Sequence, residues 1–575
     1  MYTNIFINLM NTGEIALICN MYVILNQKIK INTSPLYYSL LPQDIVEYTV
    51  NDNIINITKI LSRKKQYLLG IVKKIEYNKA ILFCPNYPKF FEPIITNNNY
   101  NIHTSLLLEF TLDNITVAKV YNSIKNRIYD KEIILDLYRL NTIIPCKLQQ
   151  TENNTNHYTK QGCIDMTHLD TFNVDPTNSK DFDDAISIVD NTIYVHIVNA
   201  HDMLPINSNV DNNAYKNSFT LYTPELIENI LPKEMAENKL SLIKGEPRNV
   251  VTVEYQIDSN MDIIKYEIYR STIIIKNRYD YNEFNTILNQ FPLLVSFYKK
   301  WKRSTLDIPH IKYNIDSMGT IDSYYCESNT DDAHKIIETL MILTNMTISQ
   351  HMKNNIPQRY HSKLKGNMNS DVENITGNNI IDNILMVKKY KNALYSNNDS
   401  GHFGLNISSY THFTSPIRRY FDVIVHKMLA GVTYDNIDII LEYINTREQY
   451  IDKIVKMYNN LKLYSYMEKN IGNIYESYVI NITNNGMVCI IKDFLFEVFV
   501  FTKNMYGESK ASHPNLIKDA KNLYLKYAEN SEIISQPSLI KDATHLYLKY
   551  KVGDMVKIKI KSIIWETMDI KAIII

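Results

Sequence analysis

Short runs of alternating apolar and polar residues fill the first 150 or so positions of the chain. IVEYTV (45–50), NIINITKIL (53–61) and YLLGIVKKI (67–75) are rich in β-formers and separated by Asn, Asp, Lys and Gly. Many short strands with no long helical pattern predict small barrels. KLQQTENNTNHYT (147–159) reads as a polar linker. Strand-like runs return at AISIV (185–189) and TIYVHIV (192–198). From Tyr281 to Arg303 the period turns helical and ends in KKWKR. DAHKIIETLMILTNMTISQHM (332–352) predicts an amphipathic helix with Ile337, Leu340, Met341, Thr344 and Ile348 on one face.

TSPIRRYFDVIVHKMLAG (414–431) predicts another helix. Ser415 suits the cap, Pro416 the first helical position, Gly431 the stop, and Ile417, Phe421, Ile424 and Met428 one apolar face. Arg418 and Arg419 then fall in the first turn. Cations there oppose the helix dipole, which a bound phosphate would explain; an Arg paired with Asp422 is the alternative. Helical pattern continues to about residue 469, and strands resume in ESYVINITNNGMVCIIKDFLFEVFVF and KVGDMVKIKIKSIIWETMDIKAII. In the latter, Val556, Ile558 and Ile560 alternate with Lys557, Lys559 and Lys561, which puts three cations on one strand face. That face is an RNA track or a guarded edge strand. Between these halves SHPNLIKDAKNLYLKY (from 512) recurs as SQPSLIKDATHLYLKY (from 535), a tandem duplication in a loop and too few units for a solenoid.

Composition adds bounds. A chain of 575 residues predicts three or four domains. Its net charge of zero argues mildly against a nucleic-acid binder, although local stripes do the binding. Six scattered cysteines without a CxxC pair disfavour a zinc ribbon or a disulfide framework and suit a reducing compartment. No apolar run approaches a membrane span, and the N-terminus lacks the basic region of a signal peptide. The expectation is a cytoplasmic monomer with no membrane contact.

The chemistry gathers at TFNVDPTNSKDFDD (171–184). Asp175, Asp181, Asp183 and Asp184 put four carboxylates into ten positions, where mutual repulsion favours a bound cation. Asp181 and Asp183 point the same way in an extended segment, and Pro176 starts the turn that brings Asp175 back. An EF-hand loop is excluded, because Lys180 stands where that loop needs Gly. Spacing alone leaves a metal site and a solvated acidic turn both standing.

VDPTNSKDFDDAI resembles the signature of the ribonuclease II family, whose catalytic module is the RNB domain, and HFGLNISSYTHFTSPIRRYFDVIVHKMLAG (402–431) resembles its second signature. The resemblance implies a multidomain α+β chain. Its parts would be a cold-shock-like OB barrel at 1–65, a second with a linker at 66–155, a central α/β RNB domain at 156–470, and an S-one-like OB barrel at 471–575. The N-terminal likeness rests on Asp44, Val46, Arg63 and Gly70.

Family members are magnesium-dependent 3′→5′ exoribonucleases that release nucleoside 5′-monophosphates from single-stranded RNA. By resemblance Asp175, Asp181, Asp183 and Asp184 hold Mg²⁺, with Mn²⁺ as a substitute. Asp183, Asp184 and Arg418 are catalytic, Tyr222 packs on a base near the 3′ end, and Tyr281, Glu338 and Arg419 line the RNA path. Arg359 and His361 match an R-x-H pair. The family's HIAD reads His196-Ile197-Val198-Asn199 here, so an Asp is replaced by Asn199, while His196 is expected in the core. Rival readings are a catalytically inactive RNB-type RNA-binding protein acting as a translational regulator, and a DNA exonuclease with the same metal chemistry.

Overall fold

The computed structural model describes residues 11–18, 21–24, 30–31, 40–41, 44–51, 54–63, 66–85, 87, 91–96, 99–112, 114–141, 146–153, 156–303, 308–327, 331–352, 355–362, 379–398, 401–483, 486–501, 550–565 and 568–575. The duplicated segment lies outside them except for its last residue, Tyr550. Among the described residues no helix is long and apolar enough to cross a membrane.

The chain is mixed α/β. Three five-stranded sheets flank the central module, two before it and one after. They are built on Asn11–Ile18, Gln66–Glu76 and Ile474–Thr483. In each, this first strand lies between the second and the fourth, and the fourth pairs with the fifth. That is the strand order of a five-stranded Greek-key barrel of the OB type. In the first sheet Lys30–Ile31 also pairs in parallel with Ile54–Ser62.

The residues carrying the N-terminal likeness have structural work. Arg63 donates to both oxygens of the buried Asp44, at 2.8 and 2.6 Å, and the Leu41 N–H donates to the same carboxylate. Gly70 faces the Leu108 side chain, which a Cβ would meet at 2.6 Å. In the last barrel Val556, Ile558 and Ile560 are buried while Lys557 and Lys561 are exposed, so the alternation read from the sequence holds.

The central module is a sheet closed on itself. Thr171–Val174, Asp184–Val189, Thr192–Val198 and Pro247–Ile257 follow one another, and the 17-residue strand Ile263–Tyr279 pairs with both Pro247–Ile257 and Thr171–Val174. Each of the five strands places one polar side chain in a buried chain: Thr171 to Ser187 (2.8 Å), Ser187 to His196 (2.9 Å), His196 to Thr252 (2.8 Å) and Thr252 to Ser271 (2.5 Å). His196 is thus a core histidine with both ring nitrogens bonded, which satisfies the requirement on buried polar groups.

Eight helices are described: α1 (Asp130–Leu140), α2 (Asn209–Asn217), α3 (Tyr281–Thr286), α4 (Pro292–Trp301), α5 (Asp332–His351), α6 (Asn379–Lys389), α7 (Tyr420–Leu429) and α8 (Ile437–Lys469). Asp331 caps α5 by accepting the His334 N–H, and Ile337, Leu340, Thr344 and Ile348 are buried as their period predicts. Met341 stays at the margin of the core, and Leu343 is buried instead. The stretch 281–303 is not one helix. Phe291 precedes a proline and takes an extended φ of −120°, and Pro292 opens α4 afresh. Trp301 donates to the Met261 carbonyl at 2.8 Å and Lys300 pairs with Asp262, so the KKWKR cluster seals a helix end. The stretch taken as a polar linker contains a strand, Gln150–Glu152, docked antiparallel on Val432–Tyr434.

Candidate active site

Asp175, Asp181 and Asp183 occupy the loop joining two antiparallel neighbours of the closed sheet, Thr171–Val174 and Asp184–Val189, and Asp184 opens the second of them. Several contacts fix that loop. The Asp175 N–H donates to the Tyr279 carbonyl at 3.2 Å. Ser241 accepts the Phe182 N–H and donates to the Lys180 carbonyl. Arg278 donates to the Pro176 and Thr177 carbonyls and lies 4.6 Å over the Phe182 ring. Asp184 is the first residue of its strand, so it stands at the sheet's lip.

Each carboxylate has a distinct environment. Asp183 accepts the Ile417 N–H at 2.8 Å and lies 3.6 Å from Arg418 Nε. Asp181 accepts the Tyr222 hydroxyl proton. Asp175 Oδ2 is buried with no hydrogen-bond partner among the described residues. Desolvation pushes Asp184 up to about 7, with Arg418 opposing. Desolvation also raises Asp183, against Arg418 and the Ile417 N–H, and it raises Asp175, helped by Asp184 and Asp183. Asp175 and Asp183 therefore feel neighbouring carboxylates, and packed acids in this state favour either protons or a cation.

The donors are all hard oxygens and one is orphaned, which fits a divalent cation of the Mg²⁺ kind. Among the described residues, however, no three His, Cys, Asp or Glu side chains converge closely enough to hold a metal by themselves. The set therefore suits an ion that takes one or two carboxylates and completes its shell with water and phosphate.

The two arginines diverge, and the predicted helix start is corrected. Helix α7 begins at Tyr420 with the extended Arg419 as its cap residue, not at Pro416 under a Ser415 cap. The reason is pairing across the chain: the Thr220 N–H donates to the Arg418 carbonyl and the Tyr420 N–H to the Ser218 carbonyl, which holds Arg419 in a β-bridge with Phe219. Arg418 is half-exposed, donates to Ser415 Oγ and faces Asp183. Arg419 turns inward and pairs with the fully buried Asp422 at 2.8 Å, a carboxylate that also accepts the Ser415 N–H. This geometry gives Arg419 a structural partner at the start of its own helix.

Tyr222 lies on a short hairpin, Leu221–Thr223 with Leu226–Glu228, and keeps 40% of its surface exposed beside the acids. Tyr281 opens α3 behind an Asp280–Glu283 capping box. Its ring stacks on His334 at 3.6 Å and 10°, and its phenol is raised by burial and then by Asp184 and Asp175. Glu338, one turn further along α5, pairs with Lys335 at 3.1 Å. It borders a small cavity with Trp301 and Arg303 rather than joining the acids. Arg359 forms a bidentate pair with Glu448, and His361 packs against His402. Asn199 is buried, with neither amide atom partnered among the described residues. Sequence reasoning did not find Arg278 or the Asp331–His334 pair. Their signals were the run RYDYNEF (278–284), which Arg278 opens and which holds Tyr281, and a capping Asp three positions before a His.

Comparison with known proteins agrees with this geometry. Residues 163–435 match the RNB domain family. Ribonuclease R of Chlamydia pneumoniae is 26% identical over 417 residues, 62% of each chain, and that of Aquifex aeolicus is 28% identical over 375 residues, 54% of this chain and 53% of the relative. The chain thus spans less than two thirds of these relatives' length. Among solved structures, Mycoplasma genitalium RNase R in complex with ribose methylated single-stranded RNA superposes with a TM-score of 0.76 at 20% identity, covering 98% of this chain and 100% of that one. Yeast Ssd1, described as a pseudonuclease, superposes with a TM-score of 0.68 at 14% identity, covering 98% and 96%. By these comparisons residues 163–435 form an RNB domain, in a chain similar to ribonuclease R.

Proposed function

We propose that the chain is a 3′→5′ exoribonuclease that hydrolyses single-stranded RNA to nucleoside 5′-monophosphates with Mg²⁺, or Mn²⁺ in its place. The observation that carries this reading is the meeting of the four-aspartate loop with Arg418, in a site where Asp183 is bonded to the backbone beside that arginine. Of Asp175, Asp181, Asp183 and Asp184, one or two would hold the cation directly and the others through water, with the scissile phosphate completing its shell. A bound cation supplies Lewis acidity and a water of lowered pKa.

The chain's own groups do the rest. Arg418, oriented by Ser415 Oγ, donates to a non-bridging phosphate oxygen and offsets charge that grows in the transition state. The exposed Tyr222 ring stacks on a base near the 3′ end, a contact indifferent to sequence. Tyr281, braced on His334, closes the other side of the acids. The flanking barrels capture RNA, with Lys557 and Lys561 as one cationic strip, and a 2′-hydroxyl contact selects RNA over DNA.

The likeness to yeast Ssd1 favours a second reading, an inactive RNA-binding protein acting as a translational regulator. Four standing aspartates beside an available arginine weigh against it. Labelled RNA and DNA incubated with Mg²⁺ or with EDTA separate the readings. Mononucleotides from RNA alone, and only with metal, support the exoribonuclease. Binding without hydrolysis supports the regulator, and equal loss of DNA a general exonuclease.

A further inference from the structure

The hairpin that carries Tyr222 ends in a buried charge network built far from the acids. Its turn residue Glu225 pairs with Lys462 of α8 and accepts the Tyr458 hydroxyl proton, both at 2.5 Å. Lys462 is fully buried, and its ammonium reaches three segments at once. Besides Glu225 it meets Asp130, at the start of α1 behind the second barrel, at 3.1 Å. It also donates to the Gly319 carbonyl, in the turn between strands His310–Ile315 and Ile321–Glu327, at 2.6 Å. Lys462 thus forms ion pairs with Glu225 and Asp130 and hydrogen bonds to the Gly319 carbonyl and, at 3.4 Å, to the Arg127 carbonyl.

The network extends to the C-terminal barrel. Arg127 lies 3.5 Å from Asp130 and stacks at 5.0 Å over Trp565, whose indole N–H donates to Glu468 of α8. Gly319 itself sits at φ +75°, with the Arg127 carbonyl 2.5 Å from where a Cβ would stand, so the turn is pressed against the segment that leads into α1. A buried ion network is a poor source of net stability, because desolvation offsets its attraction, but it fixes geometry where its members come from different elements.

We infer that Glu225 and Lys462 are positioning residues for the nuclease site: through them the placement of Tyr222, and of the Asp181 carboxylate its hydroxyl holds, depends on both flanking barrels being docked. This rests on the exoribonuclease reading for its consequence, though not for its geometry. A base clamp set by barrel docking would be complete only when the RNA-capturing barrels are in place.

The test uses the full chain with Glu225→Ala, Tyr458→Phe, Tyr222→Ala and the double variant Tyr222→Ala/Glu225→Ala. Tyr458→Phe removes a single hydroxyl and keeps the test open should Glu225→Ala fold poorly. Two readouts are taken: hydrogen exchange of the amides in 219–228 without RNA, and the product ladder with KM and kcat on short and long single-stranded RNA. Positioning predicts faster exchange in that hairpin for both Glu225→Ala and Tyr458→Phe. It predicts a longer end-product for Glu225→Ala, with KM on short RNA raised roughly ten-fold, one stacking contact's worth of about 1.4 kcal/mol, and kcat little changed. The double variant should be no worse than Tyr222→Ala, because both act through one ring. Unchanged exchange in the hairpin, or effects that multiply in the double variant, overturn the inference. A wild-type chain that releases no mononucleotide overturns the exoribonuclease reading instead, and the exchange data still decide the positioning.

Discussion

Asp183 and Ile417 stand 234 positions apart, yet the Ile417 N–H donates to Asp183 Oδ1 at 2.8 Å. That bond joins the acidic loop to the segment that presents Arg418, so one carboxylate takes part in holding both halves of the site. It also holds down a charge that burial otherwise penalises.

The adjacent arginines should separate cleanly on mutation. Arg418→Ala removes a half-exposed side chain, and stability should change by no more than about 1 kcal/mol while cleavage is lost. Arg419→Ala leaves Asp422 buried and uncompensated, which costs about 3–5 kcal/mol. Urea unfolding of the two purified variants beside a cleavage assay checks this. Equal destabilisation by both would contradict the different burial of their partners.

The ring and the hydroxyl of Tyr222 should separate on mutation. Tyr222→Ala should lengthen the end-product, since stacking is worth roughly 1–3 kcal/mol per base and matters most when few nucleotides remain. Tyr222→Phe keeps the ring and loses only the bond to Asp181. It should retain the wild-type end-product and lower the rate. A product gel with both variants decides, and a lengthened end-product from Tyr222→Phe would assign the effect to the hydroxyl.

Three buried histidines set an acid limit on stability. Burial holds His196 and His426 at about 3 and His402 at about 4. Each stays neutral when folded and takes a proton when unfolded, so the unfolded chain binds more protons below the ordinary histidine pKa. Their stabilisation is therefore present above about 6.5 and lost as pH falls towards those values, with a limiting slope of about 1.4 kcal/mol per pH unit for each. Urea midpoints taken at neutral pH and near pH 5 should fall for the wild type and fall less for His196→Gln. An identical decline in both would remove His196 from the account.

Much of this architecture was legible in the sequence because it rests on period and on local turn chemistry. Helix α5 is one case, and the Val556–Ile560 alternation is another. The acids' shared loop was legible because Pro176 and the following β-run mark a turn at a sheet edge. The start of α7 was not. Ser-Pro is a sound local start signal, but the bonds that override it come from Ser218 and Thr220, which no local pattern reveals. The same holds for Arg419, whose neighbour Arg418 has the same chemistry, and for the strand within the polar linker, which forms only against Val432–Tyr434. The Lys462 network is the extreme instance, because its members are scattered from Arg127 to Trp565.

The most direct test of the central claim compares the wild type with Asp183→Asn on one 5′-labelled single-stranded RNA. Asn keeps the size and can still accept the Ile417 N–H, but removes the charge. Filter binding and a timed product ladder are run together across Mg²⁺ concentrations. The account predicts that the wild type shortens the RNA from its 3′ end and releases nucleoside 5′-monophosphates, with no activity in EDTA, while Asp183→Asn binds at least as tightly and does not cut, and recovers in part only at raised Mg²⁺ or with Mn²⁺. Internal fragments, full wild-type activity in EDTA, or near-wild-type cleavage by Asp183→Asn at low Mg²⁺ would contradict it.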